Sequence, residues 1–185
     1  MKKIFLKAEE LLQDSFQLGL NVIDSKYNPT ILVILWRGGA PIGIAIHELM
    51  KFYGLNVMHE VLKTSSYKNL KQSKNIHIEN LEHITNKIVK TDKLLFIDDI
   101  FDTGRTYETV LALLREGCGD NYPQAIRLAT PWFKPTKNKT TLAPDYYLYE
   151  TDEWVVFPHE IEGLSKEELR EHRILLSNRG IEKLI

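Results

Sequence analysis

A mostly parallel, twisted α/β sheet flanked by helices is the fold class that this sequence predicts, and three observations carry it. Short apolar runs alternate with stretches of helical periodicity. The runs Ile31–Trp36 and Lys93–Ile97 lack polar alternation, as strands covered on both faces do. Both end in turns rich in Gly or Asp, and in parallel sheets ligands sit at the carboxyl ends of the strands.

In chain order, Leu12, Phe16, Leu20 and Ile23 recur at helical spacing, and Asn28-Pro29 ends that segment. After the strand at Ile31–Trp36, Arg37-Gly38-Gly39 breaks the run. Ile42, Ala45, Ile46, Leu49, Met50 and Tyr53 then share a helical face that Gly54 is placed to close. Residues 57–63 read as a second strand, and the polar stretch 64–75 as a mobile loop, with Ile76-His77-Ile78 suited to a returning strand. Lys93–Ile97 is the central strand, followed by a helix over 107–116 with Val110, Leu113 and Leu114 inward and Gly117 as its cap. Further strands are expected at 125–130 and 146–149, joined by a Pro- and Lys-rich connection over 131–144. Ser165-Lys166-Glu167-Glu168 has the form of a capping box opening a helix to about residue 177.

The 185 residues suit a single domain with a core of its own. Lys and Arg number 24 against 25 Asp and Glu, a net charge of −1, so no global basic field calls for nucleic acid or an anionic membrane. Any phosphate binding must be local. The one cysteine, Cys118, cannot form an internal disulfide and lacks a Cys-His signature, which fits a packing role in a reducing compartment. Lys7, Glu9 and Glu10 interrupt the apolar opening, and no run approaches the roughly 18 residues of a membrane span, so a cytoplasmic protein is expected.

Chemistry concentrates in Leu94-Leu95-Phe96-Ile97-Asp98-Asp99-Ile100-Phe101-Asp102-Thr103-Gly104-Arg105-Thr106. Clustered carboxylates repel one another unless ligands or a cation compensate, and Asp98, Asp99 and Asp102 stand where a strand stops. Acids there can accept from vicinal hydroxyls, while the Thr103–Thr106 turn offers hydroxyls and backbone N–H groups to an anion. The combination describes a site for a phosphorylated sugar. A Walker loop and a Gly-x-Gly-x-x-Gly fingerprint are both absent, and His47, His59, His77, His83, His159 and His172 show no metal-ligand spacing.

This segment resembles the phosphoribosyl-diphosphate signature of the type I phosphoribosyltransferases. The resemblance implies that Asp98 and Asp99 bind the ribose hydroxyls and that Thr103, Gly104, Arg105 and Thr106 hold the 5′-phosphate. Four other segments are similar to the same family in the same order, extending the likeness from about residue 5 to 160. Arg37-Gly38-Gly39 resembles the diphosphate-binding turn, where glycines admit the leaving group to the backbone. Ser65-Ser66-Tyr67-Lys68 resembles the flexible loop that excludes water, with Ser66 and Tyr67 as its mark. Lys68, Lys71 and Lys74 are either a solvated loop face or charges that meet the diphosphate. Lys134 resembles the lysine that recognises the oxo group of a 6-oxopurine. Residues 152–160 resemble the base-binding hood, with Trp154 stacking on the purine, Val155 reading its edge through the backbone and Glu160 joining the metal or its waters.

Asp102 points to the base, since relatives acting on adenine, orotate or uracil carry a small or hydroxyl residue there and the 6-oxopurine enzymes an aspartate. An acceptor beside the imidazole ring can take its proton as the other ring nitrogen attacks, which makes Asp102 the expected catalytic residue. The likeness therefore implies transfer of phosphoribosyl from phosphoribosyl diphosphate to hypoxanthine, guanine or xanthine, in purine salvage. It further implies Mg²⁺ as cofactor, Asp98 and Asp99 approaching the metal through ribose or water, and a homodimer or homotetramer. The hood would draw on the N-terminal residues and about 145–185. Two features depart from the family: the leading acid is Asp98, as in the xanthine-guanine type, where the hypoxanthine-guanine type often has Glu, and His159 stands where several relatives have Trp. A transferase for another base, or a non-catalytic nucleotide- or RNA-binding regulator, are the alternatives.

Overall fold

The computed structural model of the chain describes residues 2–66 and 76–172. In chain order the elements are β1 (Lys3–Phe5), α1 (Ala8–Asp24), β2 (Ile31–Trp36), α2 (Gly39–Phe52), β3 (Met58–Ser66), β4 (Ile76–Glu79), α3 (Leu81–Thr85), β5 (Lys93–Ile97), β6 (Ile100–Phe101), α4 (Arg105–Cys118), β7 (Ala125–Ala129), β8 (Trp132–Phe133), β9 (Tyr149–Glu150), β10 (Trp154–Val156) and α5 (Lys166–His172). They fall into two compact units, residues 12–152 and residues 1–11 with 153–185.

The larger unit is built on a five-stranded sheet of order β4-β3-β2-β5-β7, parallel except for the β3–β4 pair. The two apolar runs read as fully covered strands are its centre, β2 and β5. Successive residues of a strand face opposite sides, so Ile31, Val33, Leu35, Leu94 and Phe96 pack in one layer with Ile84, Val110 and Leu114 from α3 and α4. On the other side Ile34 of β2 meets α2 at Gly43, where an added Cβ would lie 2.6 Å from its Cδ1. Beside the main sheet, β6, β8 and β9 form a small parallel sheet.

The smaller unit pairs β1 with β10 in parallel, Lys3 opposite Trp154 and Phe5 opposite Val156. Lys3 joins its parts: its Nζ lies 4.7 Å over the Trp154 ring and 2.6 Å from Glu168 Oε1. The capping box forms as the sequence predicts. Ser165 N–H donates to Glu168 Oε2 at 2.8 Å, and Glu168 N–H donates to Ser165 Oγ at 3.2 Å.

Several local expectations are corrected. In α1 the buried stripe is Leu11, Ser15, Leu18 and Val22, whereas Leu12 and Phe16 are exposed. A polar Ser15 in the buried stripe disguises it as the weaker of two overlapping patterns. Gly117 lies inside α4, packed so that a Cβ would come 2.8 Å from Thr85 Cγ2, and the helix ends at Gly119, with φ +50°. Residues 64–66, read as the start of a loop, continue β3 because β4 returns to pair with them, Ser66 opposite Ile76. Of the strand expected at 146–149, only Tyr149 lies in a strand, β9, which runs on to Glu150, while Tyr146 forms an isolated parallel bridge with Ala129; Leu148 and Tyr149 N–H both donate to the Pro131 carbonyl, at 3.1 and 3.0 Å. Tyr67 and the lysines Lys68, Lys71 and Lys74 lie outside the described residues. Among the described residues, no helix is long and apolar enough to cross a membrane.

Phe96 is fully buried at the centre of the main core layer. Phe96→Ala should lower unfolding free energy by about 3–5 kcal/mol, measured by urea denaturation of the ligand-free protein.

Candidate active site

The order of the sheet locates the site. The chain leaves β2 for β3 on one side, whereas from β5 it moves to β7 on the other, so the crevice between the ends of β2 and β5 is a topological switch point. Arg37-Gly38-Gly39 follows β2 there, and Asp98-Asp99 follows β5. The Trp36–Arg37 peptide is cis. A Cβ on Gly38 would run into the Asp99 carboxylate, and one on Gly39 into the Ile97 carbonyl. Gly38 has an ordinary helical φ of −61°, so these positions need glycine for space rather than for unusual backbone angles.

Beyond β5 two of the acids, Asp98 and Asp102, share one pocket with the phosphate-type turn. Its cavity volume is about 90 Å³, and it is lined by Asp98, Asp102, Thr103, Gly104 and Thr106, with Phe101 and Tyr107 among its walls. Asp98 Oδ1 accepts the Asp99 N–H at 3.0 Å, and Asp98 N–H donates to the Ala129 carbonyl at 3.2 Å. Burial, and then the neighbouring Asp99 charge, push the Asp98 carboxyl well above the usual carboxylate range. Gly104, with φ +76°, stands at the N-terminus of α4 and aligns that helix end with the pocket. Arg105 begins the helix but is exposed and is not among the residues lining the pocket.

Lys134 extends the site from β8. Its N–H donates to the Phe101 carbonyl at 2.9 Å, and its Nζ reaches Asp102 Oδ2 at 3.1 Å. The lysine side chain is 11% exposed and the aspartate 47%, so a nearly buried cation rests against a half-open carboxylate. Sequence reading named both residues without foreseeing their contact. It missed the apolar walls Leu35, Phe101 and Leu128, which carry no signal apart from their strands. It also passed over Asn138 and Thr140, whose Asx- and hydroxyl-turn chemistry inside the Pro- and Lys-rich connection was the available cue.

Of the residues expected in the hood, the N-terminal ones and those from Glu153 onward belong to the smaller unit, whereas 145–152 belong to the larger one. Trp154 is 37% exposed and opens β10, while Val155, Val156 and Phe157 are buried. Glu160 Oε2 accepts the Phe157 N–H at 3.2 Å, closing a local turn. Ser66 lies at the end of β3.

Known proteins are similar to this chain over most of its length. The phosphoribosyl transferase domain family matches residues 2–165. The chain belongs to the phosphoribosyltransferase family. A hypoxanthine-guanine phosphoribosyltransferase of Lactococcus lactis is 30% identical over 149 residues, covering 79% of this chain and 75% of the relative. The enzyme of the same name from Streptococcus mutans is 28% identical over 159 residues, 84% of this chain and 83% of the relative. Among solved structures, a purine phosphoribosyltransferase from Pyrococcus horikoshii superposes with a TM-score of 0.68 at 26% identity, covering 90% of this chain and 99% of that one. The xanthine-guanine-hypoxanthine phosphoribosyltransferase of Helicobacter pylori, at 24% identity and a TM-score of 0.67, shares the fold over 92% of this chain and 100% of its own. The type I phosphoribosyltransferase fold expected from the sequence is thus the observed one.

The raised Asp98 pKa has a stability consequence. Its folded value exceeds its unfolded value, so between the two the native state binds more protons and stability falls as pH rises through that window. At neutral pH, Asp98→Asn should therefore raise the melting temperature of the ligand-free protein. The difference from the parent should shrink towards pH 4, as differential scanning calorimetry across pH would record.

Proposed function

We propose that this phosphoribosyltransferase is a purine-salvage enzyme that moves the 5-phosphoribosyl group of phosphoribosyl diphosphate onto a 6-oxopurine. The observation that carries this reading is the Lys134–Asp102 pair, 3.1 Å apart beside the phosphate-type pocket. A 6-oxopurine presents an oxo acceptor and an imidazole nitrogen on one edge, whereas adenine presents an amino donor in place of the oxo group. A lysine donor beside an aspartate acceptor matches the first edge and mismatches the second. The hypoxanthine-guanine names of the relatives support the same class.

In this reading Thr103, Gly104 and Thr106, with the N-terminus of α4, bind the 5′-phosphate, and Arg105 adds charge at its rim. Asp98 and Asp99 accept from the ribose hydroxyls. Arg37, Gly38 and Gly39 receive the departing diphosphate, which the missing Cβ atoms allow to approach the backbone. Asp102 accepts the purine proton as the ring nitrogen attacks the anomeric carbon, and Lys134 holds the oxo group. By the family resemblance, Trp154 and Val155 are assigned to recognition of the base, and Ser66 and Tyr67 to the exclusion of water.

Among the described residues, no group of three or more His, Cys, Asp or Glu is arranged to hold a metal unaided. Hard carboxylate oxygens beside a phosphate pocket do suit Mg²⁺, which binds through few protein oxygens and takes its other ligands from substrate and water. Asp98 and Asp99 would hold it through ribose or water. When bound, Mg²⁺ supplies charge neutralisation for the leaving diphosphate. We further place the reaction in the cytoplasm, in keeping with the lone, buried Cys118 thiol. We take the enzyme to be a homo-oligomer, which would cover the exposed apolar side chains Ile44, Phe52, Met58 and Val61 of α2 and β3.

Nucleotide formation from phosphoribosyl diphosphate and Mg²⁺ should be measured with hypoxanthine, guanine, xanthine, adenine, uracil and orotate. Turnover confined to 6-oxopurines is expected, and failure with all three would reject the reading. Asp102→Asn should lower kcat by about 10²–10⁴ while leaving phosphoribosyl diphosphate affinity unchanged, and unchanged turnover would exclude its proton role.

A further inference from the structure

The connection after β8 folds back against the phosphate-type turn and is fastened there by side chains outside the signature segment. The Lys134 carbonyl accepts N–H groups from Lys137 and Asn138, at 3.1 and 3.2 Å, which reverses the chain. Asn138 then secures the next residues: its Oδ1 accepts the Thr140 N–H at 3.0 Å and hydroxyl at 2.9 Å, and its Nδ2 donates to the Leu142 carbonyl at 2.7 Å. Thr140 Oγ1 accepts in turn from the Leu142 N–H at 3.2 Å.

This fastened loop reaches residues 103 and 104 at two points. Lys139 N–H donates to the Thr103 carbonyl at 3.0 Å. Thr140 Oγ1 and Asn138 Oδ1 close the space beside Gly104, lying 2.5 and 2.9 Å from where its Cβ would stand. A turn that binds an anion must direct N–H groups towards it and carbonyl oxygens away, because a carbonyl aimed at phosphate repels it. Capture of the Thr103 carbonyl by Lys139 keeps that oxygen turned away. Gly104 holds φ +76°, and the Asn138–Thr140 wall packs against the face where a side chain would stand, so the loop and the glycine turn fit only with that face bare. Order is supplied before the ligand arrives, so less of the binding free energy goes into arranging the turn.

We infer that Asn138 and Thr140 are positioning residues for the sugar 5′-phosphate, acting through the Thr103–Gly104 peptide; this rests on the phosphate-binding reading of residues 103–106. A role in loop stability alone would weaken sugar and purine binding together. Positioning weakens the sugar side selectively, because the backbone N–H of Asn138, not its side chain, contacts the base-directed Lys134.

Calorimetric titration with ribose 5-phosphate, in the absence of metal, probes the turn directly. Asn138→Ala and Thr140→Val should each raise its Kd about tenfold, and Thr140→Ser, which keeps the hydroxyl, should restore it. In steady-state assays the KM for phosphoribosyl diphosphate should rise similarly, with the KM for the purine unchanged. Equal ribose 5-phosphate affinity in parent and variants, or parallel losses for sugar and purine, would overturn the inference. If Asn138→Ala does not fold, the near-isosteric Thr140→Val with its Thr140→Ser rescue decides the matter. A parent protein that fails to bind ribose 5-phosphate would instead overturn the phosphate reading, and the inference with it.

Discussion

The close approach of two strand ends is the constraint on which the rest of the site depends. β2 and β5 lie side by side, and the turn leaving one packs its glycines onto the carbonyl and carboxylate that end the other. Any side chain at Gly38 or Gly39 would separate them. Because the chain departs from this point in opposite directions, the crevice is left open to ligand, while the helices that follow present their N-termini towards it. Acids from one strand and backbone from its neighbour therefore share a boundary without long loops to carry them.

That boundary holds charge that an empty protein would be better without. Asp98 is partly withdrawn from water and faces the charge of Asp99, which is the physical cause of its raised pKa. Such a cost is expected where residues are selected to meet a ligand rather than to stabilise the fold. The structure limits it locally. Asp98 is tied by two backbone hydrogen bonds, Asp102 has Lys134 beside it, and the fastened loop around Asn138 keeps the neighbouring turn ordered. A net charge of −1 conceals this arrangement, because the opposing charges are sorted over a few ångströms rather than between faces of the molecule.

Legibility in the sequence followed the physical character of each segment. β2 and β5 coincide with the apolar runs, because a strand covered on both faces has no polar position to blur its limits. The Ser165 capping box was equally readable, since both of its bonds are local. Where a boundary depended on a partner, the reading drifted. Residues 64–66 are strand only because β4 returns to meet them, and α4 continues past Gly117 because that glycine packs on Thr85. In α1 two overlapping stripes one residue apart competed, and burial of Ser15 decided for the less apolar one.

The sequence by itself determined the fold class, the family likeness and the order of the chemical groups, from the strand-end acids to the Thr103–Thr106 turn and the later lysine. Those properties are written in short-range patterns of polarity, glycine and hydroxyl residues. Tertiary structure decided which distant residues share space: Lys134 against Asp102, Gly38 against Asp99, and Asn138 with Thr140 behind Gly104. Contacts between residues tens of positions apart depend on strand order and on where each loop turns back, and no local pattern encodes either one.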